Sequence, residues 1–326
     1  MVTTRCRRRT PQTVLLGVLV LLGALLLTAP GGTVLAQAKV GTTGAQFLEL
    51  GVSARAMGMA EAFTSVSNDV SAIYYNPAGL TALMGREAMF SYVSLPADVG
   101  AGFVGVGFPL EAVGGVIGIG AYGLTSGKMT ERTYGNGDFA GTGREFLWQD
   151  LAVSVGYGRY LTDRFSIGIN VKYIGEYAHE YNANGWAADV GTSYNTGFRN
   201  FKIAMVITNF GPDLKFIEKA YPLPINFKFG ASIDVLQGQN HQMTVSAEGS
   251  HPSDNLEKYN GGAEYTYKER FTLRAGGRFN YDEDGLTFGG GLKLPFGQDK
   301  EIRVDYAYQD FGILTQVHRF SMSISF

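Results

Sequence analysis

Cysteine is almost absent from this chain, since Cys6 is the only one in 326 residues. That excludes an internal disulfide and a cysteine cluster for zinc. Charge is also scarce, because Asp, Glu, Lys and Arg supply only 17% of the sequence and the formal net charge is −2. Without a basic excess, nucleic acid is not expected as a partner. Long apolar runs are missing after residue 36, so no later helix is predicted to span a membrane.

Motifs for catalysis, cofactors and metals are lacking as well. Residues 118–123 match the dinucleotide fingerprint G-x-G-x-x-G, but an alternating strand pattern follows where that fingerprint requires a helix. His318 and Ser321 are the nearest candidates for a Ser–His hydrolytic site, but they are three residues apart on a predicted strand and therefore point to opposite faces. Metal-ligand spacing is not found among the four histidines, His179, His241, His251 and His318. We therefore expect no enzyme activity, no cofactor and no metal site.

The first 36 residues resemble a secretory signal peptide. Arginines at positions 5 and 7–9 form a basic patch, and an uninterrupted apolar stretch runs over residues 14–27. Small residues around Ala36 then provide a cleavage site for signal peptidase. The alternative, a membrane anchor, requires roughly 18 or more apolar residues, and this run is shorter. Cleavage would remove Cys6 and four arginines, so the formal charge of the mature chain would be −6.

The mature chain is rich in glycine and aromatic residues, and its apolar and polar residues alternate. Glycine accounts for 45 residues, about twice the usual ~7%, and Tyr and Phe account for 18 and 21. The last seven residues, Phe320–Phe326, alternate apolar and hydroxyl side chains and end on an aromatic. Period-two alternation indicates a β-strand between an apolar and a polar medium. Apolar outward faces with aromatic girdles are typical of outer-membrane barrels.

Alternation recurs along the whole chain after residue 86. The segments are 9–15 residues long, which covers the length that a tilted strand needs to cross a bilayer. Their even number agrees with single-chain bacterial barrels. The sequence therefore predicts an all-β fold over residues 87–326, a 14-stranded antiparallel transmembrane β-barrel with strands near 87–95, 99–108, 113–124, 147–161, 165–178, 186–195, 201–209, 223–235, 241–250, 257–267, 270–281, 285–296, 300–309 and 316–326.

Charged residues in these strands should face the lumen, because an arginine facing lipid at mid-membrane costs about 2–4 kcal/mol. Arg274 and Arg278 share the inward face of one predicted strand, and Glu264 lies on its neighbour. Arg303 and Asp305 share the inward face of another strand. Because an unpaired charge in a partly desolvated lumen is costly, we expect Arg–Glu pairing between the first two strands.

Loop lengths and the last residue predict the topology. A strand that ends at a C-terminal Phe resembles the assembly signal of outer-membrane barrels, so Phe326 is expected at the periplasmic membrane interface, in contact with outer-membrane lipid. The longest connections, residues 125–146 and 210–222, then fall on the extracellular side. The second of these loops offers four contact candidates, and folding of the loop inward to cap the lumen is the alternative. The four residues are Leu214, Lys215, Phe216 and Ile217.

Residues 37–86 do not follow the strand pattern. The stretch 46–62 is rich in Ala, Met and Leu and has many small residues, which favours short helical pieces. We expect this helical or irregular segment to plug the barrel lumen. A periplasmic extension is the alternative.

Residues 51–81 carry a family resemblance. The run GVSARAMGM, followed by EAF, ND, SAIYY and NPAGL, resembles the opening of the PorV/PorQ family within the wider group of FadL-like barrels. NPAGL is shared by both groups, ARAMG is more specific to PorV/PorQ, and MAEAF at residues 59–63 departs from that family's MGGAF. The residues that carry the motif are Arg55, Gly58, Asn76, Pro77 and Gly79. Physically, residues 76–79 form a turn, which serves as a rigid elbow or contacts a ligand.

The resemblance implies one of two functions. The first is an accessory of type IX protein secretion that binds exported cargo or the translocon through extracellular loops. The second is a FadL-like channel for uptake of hydrophobic small molecules or long-chain fatty acids. A general porin is disfavoured, because residues 39–86 would obstruct its pore. Fold alone does not choose between the first two functions.

Overall fold

Strand β1 (Glu87–Leu95) hydrogen-bonds to both β2 (Val99–Leu110) and the last strand, β18 (Gln316–Ser325), and so closes a barrel. The computed structural model describes residues 40–135, 138–281, 285–297 and 300–326. Fourteen antiparallel strands form the barrel, which confirms the fold predicted from the sequence. The predicted signal peptide, residues 1–36, lies outside the described residues.

Neighbours along the chain are also neighbours in the barrel, apart from two small hairpins that stand outside the ring of strands. The other barrel strands are β3 (Gly115–Thr125), β6 (Trp148–Thr162), β7 (Phe165–Ala178), β8 (Tyr181–Asn195), β9 (Lys202–Phe210), β12 (Asn226–Gln237), β13 (His241–Pro252), β14 (Lys258–Tyr267), β15 (Phe271–Phe279), β16 (Leu286–Pro295) and β17 (Glu301–Asp310). The hairpins are β4 (Met129–Gly135) with β5 (Asp138–Phe146), and β10 (Leu214–Phe216) with β11 (Lys219–Tyr221).

Most predicted strand boundaries agree with the structure to within three residues. The main difference is β8, which begins at Tyr181 rather than at residue 186. The sequence pattern predicts neither hairpin and leaves residues 125–146 and 210–222 as loops. Outside a bilayer a strand need not alternate apolar and polar faces, so the pattern that identifies barrel strands is weak there.

The two barrel ends differ. Short turns and Phe326 lie at one end, which we call the turn end. The β4–β5 and β10–β11 hairpins project at the other, which we call the hairpin end. At the turn end, Arg86 and Phe326 each donate a backbone N–H to the other's carbonyl oxygen, at 3.0 and 2.8 Å. This pair continues the β1–β18 ladder to the last residue, whose side chain is 51% exposed.

Side chains alternate between a buried inner and an exposed outer face. In β15, Thr272 and Arg274 are buried inside, whereas Phe271 and Leu273 face outward. Large apolar residues are exposed over the whole outer face, as a lipid-facing surface requires. The helices of the described residues are few and short. They are the α-helices α1 (Ala54–Gly58) and α2 (Ala72–Tyr75), and 3-10 helices at Gln46–Glu49, Pro77–Ala82, Glu111–Val113 and Gly312–Leu314. No helix among the described residues is long and apolar enough to cross a membrane.

Candidate functional site

Residues 40–86, the N-terminal segment, lie within the ring of strands. Their polar backbone groups hydrogen-bond to inward side chains on different sides of the barrel. The N–H of Ala45 donates to Glu176 on β7 at 3.0 Å, and the N–H of Ala54 donates to Ser321 on β18 at 2.8 Å. The N–H groups of Phe63 and Thr64 both donate to Glu248 on β13, at 3.0 and 2.9 Å. Wall side chains thus accept backbone N–H groups of the segment, in addition to the hydrogen bonds within its own turns and short helices.

Close packing joins helix α1 to one side of the wall. Gly262, Gly276 and Gly289 face inward on β14, β15 and β16, next to residues 58–60. A Cβ on Gly276 would lie 2.6 Å from the carbonyl carbon of Met59, and one on Gly289 would lie 3.1 Å from the Cα of Gly58. Backbone therefore meets backbone here, and a side chain at these positions would displace the segment.

The Asn76–Gly79 motif forms an elbow against the opposite wall. The Asn76 side chain accepts the N–H of Ala78 at 3.1 Å and donates to the carbonyl oxygens of Thr64 and Thr192, both at 3.1 Å. Pro77 starts the 3-10 helix that follows. A Cβ on Gly79 would lie 2.4 Å from the carbonyl oxygen of Ser67. These contacts are structural, and they fix the segment to β8.

Six charged residues form a closed ring between the N-terminal segment and the wall. Arg55 and Asp69 come from the segment, and the other four come from β14, β15 and β17. Positive and negative groups alternate around it. The contacts are Arg55–Glu264 at 2.8 Å, Glu264–Arg274 at 2.7 Å, Arg274–Asp305 at 2.7 Å, Asp305–Arg303 at 3.0 Å, Arg303–Asp69 at 2.9 Å and Asp69–Arg55 at 3.2 Å.

Burial and charge oppose each other within this ring. Burial alone would raise the pKa of Asp69, but Arg303 and Arg55 lower it below the ordinary value for an aspartate. Burial would likewise lower the pKa of Arg55, but Glu264, with further contributions from Asp69 and Asp305, more than offsets this, so the pKa is raised. Both groups on the segment are therefore held in their charged forms, which keeps the ring complete.

The structure places five residues named from the sequence in this ring: Arg55, Glu264, Arg274, Arg303 and Asp305. Arg278 lies outside it, nearer the hairpin end, with its guanidinium 5.4 Å from the ring centroid of Tyr281. Arg274 therefore pairs with Glu264, as expected from the sequence. Asp69 was missed as a site residue, although it stands inside the motif that carries the family resemblance.

A polar vestibule of about 960 Å³ lies between the charge ring and the turn end. Its wall includes ring members Arg55, Glu264, Arg274 and Arg303, and it extends to Phe326. Most other lining residues are charged, amide or hydroxyl residues, among them Lys202, Asp234, Thr244, Thr266 and Glu269. The turn-end half of the lumen is therefore suited to water and polar solutes.

The hairpin-end half contains an apolar sector, which we define as Phe47, Tyr74, Tyr122, Leu214 and Phe216. The Phe47 and Tyr122 rings are stacked with centroids 5.8 Å apart. Phe216 stacks on Trp148 at the same distance. Residues of the N-terminal segment, of the barrel wall and of the β10–β11 hairpin thus meet in one cluster.

The β10–β11 hairpin only partly matches its predicted role as an exposed contact surface. Leu214 is 2% exposed, and Phe216 turns toward Trp148. Both side chains agree with the alternative in which the loop folds inward. Burial in the apolar sector removes their apolar surface from water, which is more favourable than exposure on the outside. Lys215 and Ile217 remain exposed. Among the described residues, no group of three or more Asp, Glu, His or Cys is arranged to hold a metal.

Comparison with known proteins relates this barrel to one structural class. No family model matches the chain, and no curated protein sequence matches it. Solved structures do match. The "CymD monoaromatic hydrocarbon channel" gives a TM-score of 0.58 at 13% identity, covering 85% of this chain and 98% of that one. The Pseudomonas putida toluene transporter TodX also gives 0.58, at 12% identity and coverages of 84% and 97%.

A Pseudomonas aeruginosa FadL homologue gives a TM-score of 0.55 at 11% identity, covering 84% of this chain and 98% of that one. The chain therefore has the fold of the FadL-like outer-membrane barrels. Identities this low establish the fold alone. The narrower resemblance to PorV/PorQ is not found in these comparisons.

Proposed function

We propose that this protein is an outer-membrane channel for small hydrophobic molecules, and that residues 37–86 are the plug that closes it. The support is the match over nearly the whole length of structures named as hydrocarbon channels and toluene transporters. The lumen is consistent with this role, because an apolar sector at the hairpin end is followed by a polar vestibule at the turn end. A hydrophobic solute would collect in the first and leave through the second.

One observation supports the mechanism: the N-terminal segment contacts the wall on several sides. We infer that it separates the two halves of the lumen. Passage therefore requires part of the segment to move. The charge ring holds residues 55 and 69 against β14–β17, and the Asn76 elbow holds the other side. Residues 60–68, between the ring residues Arg55 and Asp69, are the candidate moving part, and their movement would break the hydrogen bonds of Phe63 and Thr64 to Glu248.

A disulfide between this stretch and the wall tests the mechanism. A Cβ placed on Gly230 of β12 would lie 3.5 Å from the Cβ of Ser65, which is within the range of natural disulfides. The variant Ser65→Cys/Gly230→Cys should lose uptake of toluene and of a long-chain fatty acid when it is oxidised. Reduction should restore uptake, because the lock is then open.

The single variants Ser65→Cys and Gly230→Cys are the matched controls, and neither should respond to oxidation. Uptake is measured in cells that lack other channels of this class, with heat-modifiable migration as the check for folded barrel. Equal uptake by the oxidised and reduced double variant would contradict movement of residues 60–68. No uptake by the wild-type protein of either solute would contradict the proposed function.

A second candidate function, an accessory of type IX secretion, is favoured by the PorV/PorQ-like motif at residues 51–81. In this case the exposed Lys215 and Ile217 on the β10–β11 hairpin would contact cargo or translocon. The double variant Lys215→Glu/Ile217→Asp should then lower the amount of secreted protein at the cell surface and leave hydrocarbon uptake unchanged. Unchanged secretion after deletion of the whole gene would exclude this candidate.

A further inference from the structure

A second cavity of about 90 Å³ lies at the hairpin end, and it shares no lining residue with the vestibule. It lies between the N-terminal segment and the wall, mainly strands β9 and β12–β15. Only one of its lining residues, Leu48, is aliphatic. At roughly 10–15 Å³ per water position, it has room for about six to nine waters, or for a solute with a similar number of non-hydrogen atoms.

Opposite charges face each other across this cavity. Lys228 and Lys258 line it from the wall, and Glu49 lines it from the N-terminal segment. Within the described ranges, no ion pair or side-chain hydrogen bond joins Glu49 or Lys258 to another residue. Lys228 has one distant contact, with Glu248 at 3.9 Å. The second oxygen of that carboxylate already accepts the N–H groups of Phe63 and Thr64.

Without a ligand in the cavity, it is energetically unfavourable for these charged side chains to lie apart with no direct partner. Glu49 is partly buried, and burial is the main reason why its pKa is raised, with Asp254 adding to the rise and Lys258 and Lys228 opposing it. A partly buried charge with no direct partner loses hydration without gaining a hydrogen bond. A molecule in the cavity with one end of each sign would supply the missing partners.

Neutral groups around the charges add specificity. The side-chain oxygen of Asn226 is buried and has no hydrogen-bond partner in the structure. The Lys258 ammonium lies 5.1 Å from the Tyr281 ring centroid, and the Tyr281 hydroxyl donates to Asn260 at 2.9 Å. The ammonium is therefore held beside the cavity by an aromatic face rather than by an acid, which leaves its charge available to a ligand.

We propose that this cavity binds a small zwitterion of amino-acid size, with its carboxylate at Lys228 and Lys258 and its ammonium at Glu49. A simple anion would leave Glu49 without a partner, and a simple cation would leave both lysines without one. The site adjoins the apolar sector, with which it shares Tyr74, but its charged groups lie outside that sector. The proposal therefore does not depend on the proposed transport of hydrophobic molecules.

The test uses the purified full-length barrel in detergent and three zwitterions of increasing length: glycine, β-alanine and 4-aminobutyrate. Propionate and ethylamine are the matched anion and cation at the same ionic strength. Calorimetric titration should show that at least one zwitterion binds about tenfold or more tightly than both single-charge probes, because two charge-assisted contacts replace one. Glu49→Gln and Lys258→Gln should each weaken that binding about tenfold or more.

Lys215→Gln, on the exposed hairpin, is the control and should bind like the wild type. Heat-modifiable migration shows whether each variant is folded, and the two site variants lie on different elements, so a failure of one to fold leaves the other as the test. Equal binding of propionate and the best zwitterion would overturn the proposal in favour of a simple anion site. Absence of zwitterion binding at millimolar concentration, or binding that neither variant weakens, would overturn it as well.

Discussion

Arg55 forms a two-hydrogen-bond contact with Glu264, in which Nε and Nη2 donate to the two carboxylate oxygens, each at 2.8 Å. The two residues are 209 positions apart in the chain, one on the N-terminal segment and the other on β14. Parallel hydrogen bonds of this kind are directional, so they fix orientation as well as distance. The contact joins the segment to the barrel at the point where the vestibule begins.

Removal of this contact should loosen the segment. Arg55→Met leaves Glu264 with Arg274 as its one ring partner and breaks the ring at Asp69, and loss of one member of a buried pair costs about 3–5 kcal/mol. We expect faster hydrogen exchange in residues 50–70 and faster uptake of hydrophobic solutes. Lys128→Gln removes a pair with Glu145 whose side chains are 73% and 54% exposed, and it is the control with no expected effect. Equal exchange rates in wild type and Arg55→Met would contradict a role of the ring as an anchor.

Much of the barrel could be predicted from sequence, and the reason is the bilayer. Lipid requires each strand to present apolar side chains on one face, so Phe271 and Leu273 alternate with Thr272 and Arg274 whatever their neighbours are. Inside the lumen no such rule holds. Five ring members could be named as site residues, and the pairing of Arg274 with Glu264 could be predicted. The partners of Arg55 could not, because a five-residue helix such as α1 does not reveal which wall it faces. Asp69 lies in an irregular stretch and was missed for the same reason.

The inward glycines provide a second test of close packing. Gly276→Ala places a Cβ 2.6 Å from the Met59 carbonyl carbon and 2.7 Å from Ala60, whereas the outward Gly277→Ala meets its nearest atom, in Phe279, at 3.4 Å. Overpacking of this kind costs about 1–3 kcal/mol. Gly276→Ala should therefore lower the thermal midpoint of the folded barrel or displace the segment, and Gly277→Ala should do neither. A similar response of both variants would mean that the wall yields more easily than this packing indicates.

Topology can be measured with single cysteines, provided that cleavage removes Cys6. Lys215 is exposed at the hairpin end, and Gly238 is exposed in a turn at the turn end. Lys215→Cys should react with a membrane-impermeant thiol reagent on intact cells. Gly238→Cys should react only after the outer membrane is opened, and an unsubstituted chain should not react at all. The reverse pattern would put the β10–β11 hairpin in the periplasm, and neither proposed function could then use it as an extracellular surface.

The terminal strand should control assembly. Phe326 is paired with Arg86 through two backbone hydrogen bonds, and half of its side chain is exposed toward the surroundings of the barrel. Phe326→Asp would place a charge directly after β18, where apolar contact with the membrane interface and closure of the barrel against β1 coincide. We expect several-fold less heat-modifiable barrel in the outer membrane. Phe198→Asp is the matched control, because Phe198 is 65% exposed in a turn at the same end but takes no part in closure. An equally large loss of heat-modifiable barrel in Phe198→Asp would show that any aromatic residue at this rim has the same effect. The prediction of a special role for Phe326 would then be contradicted.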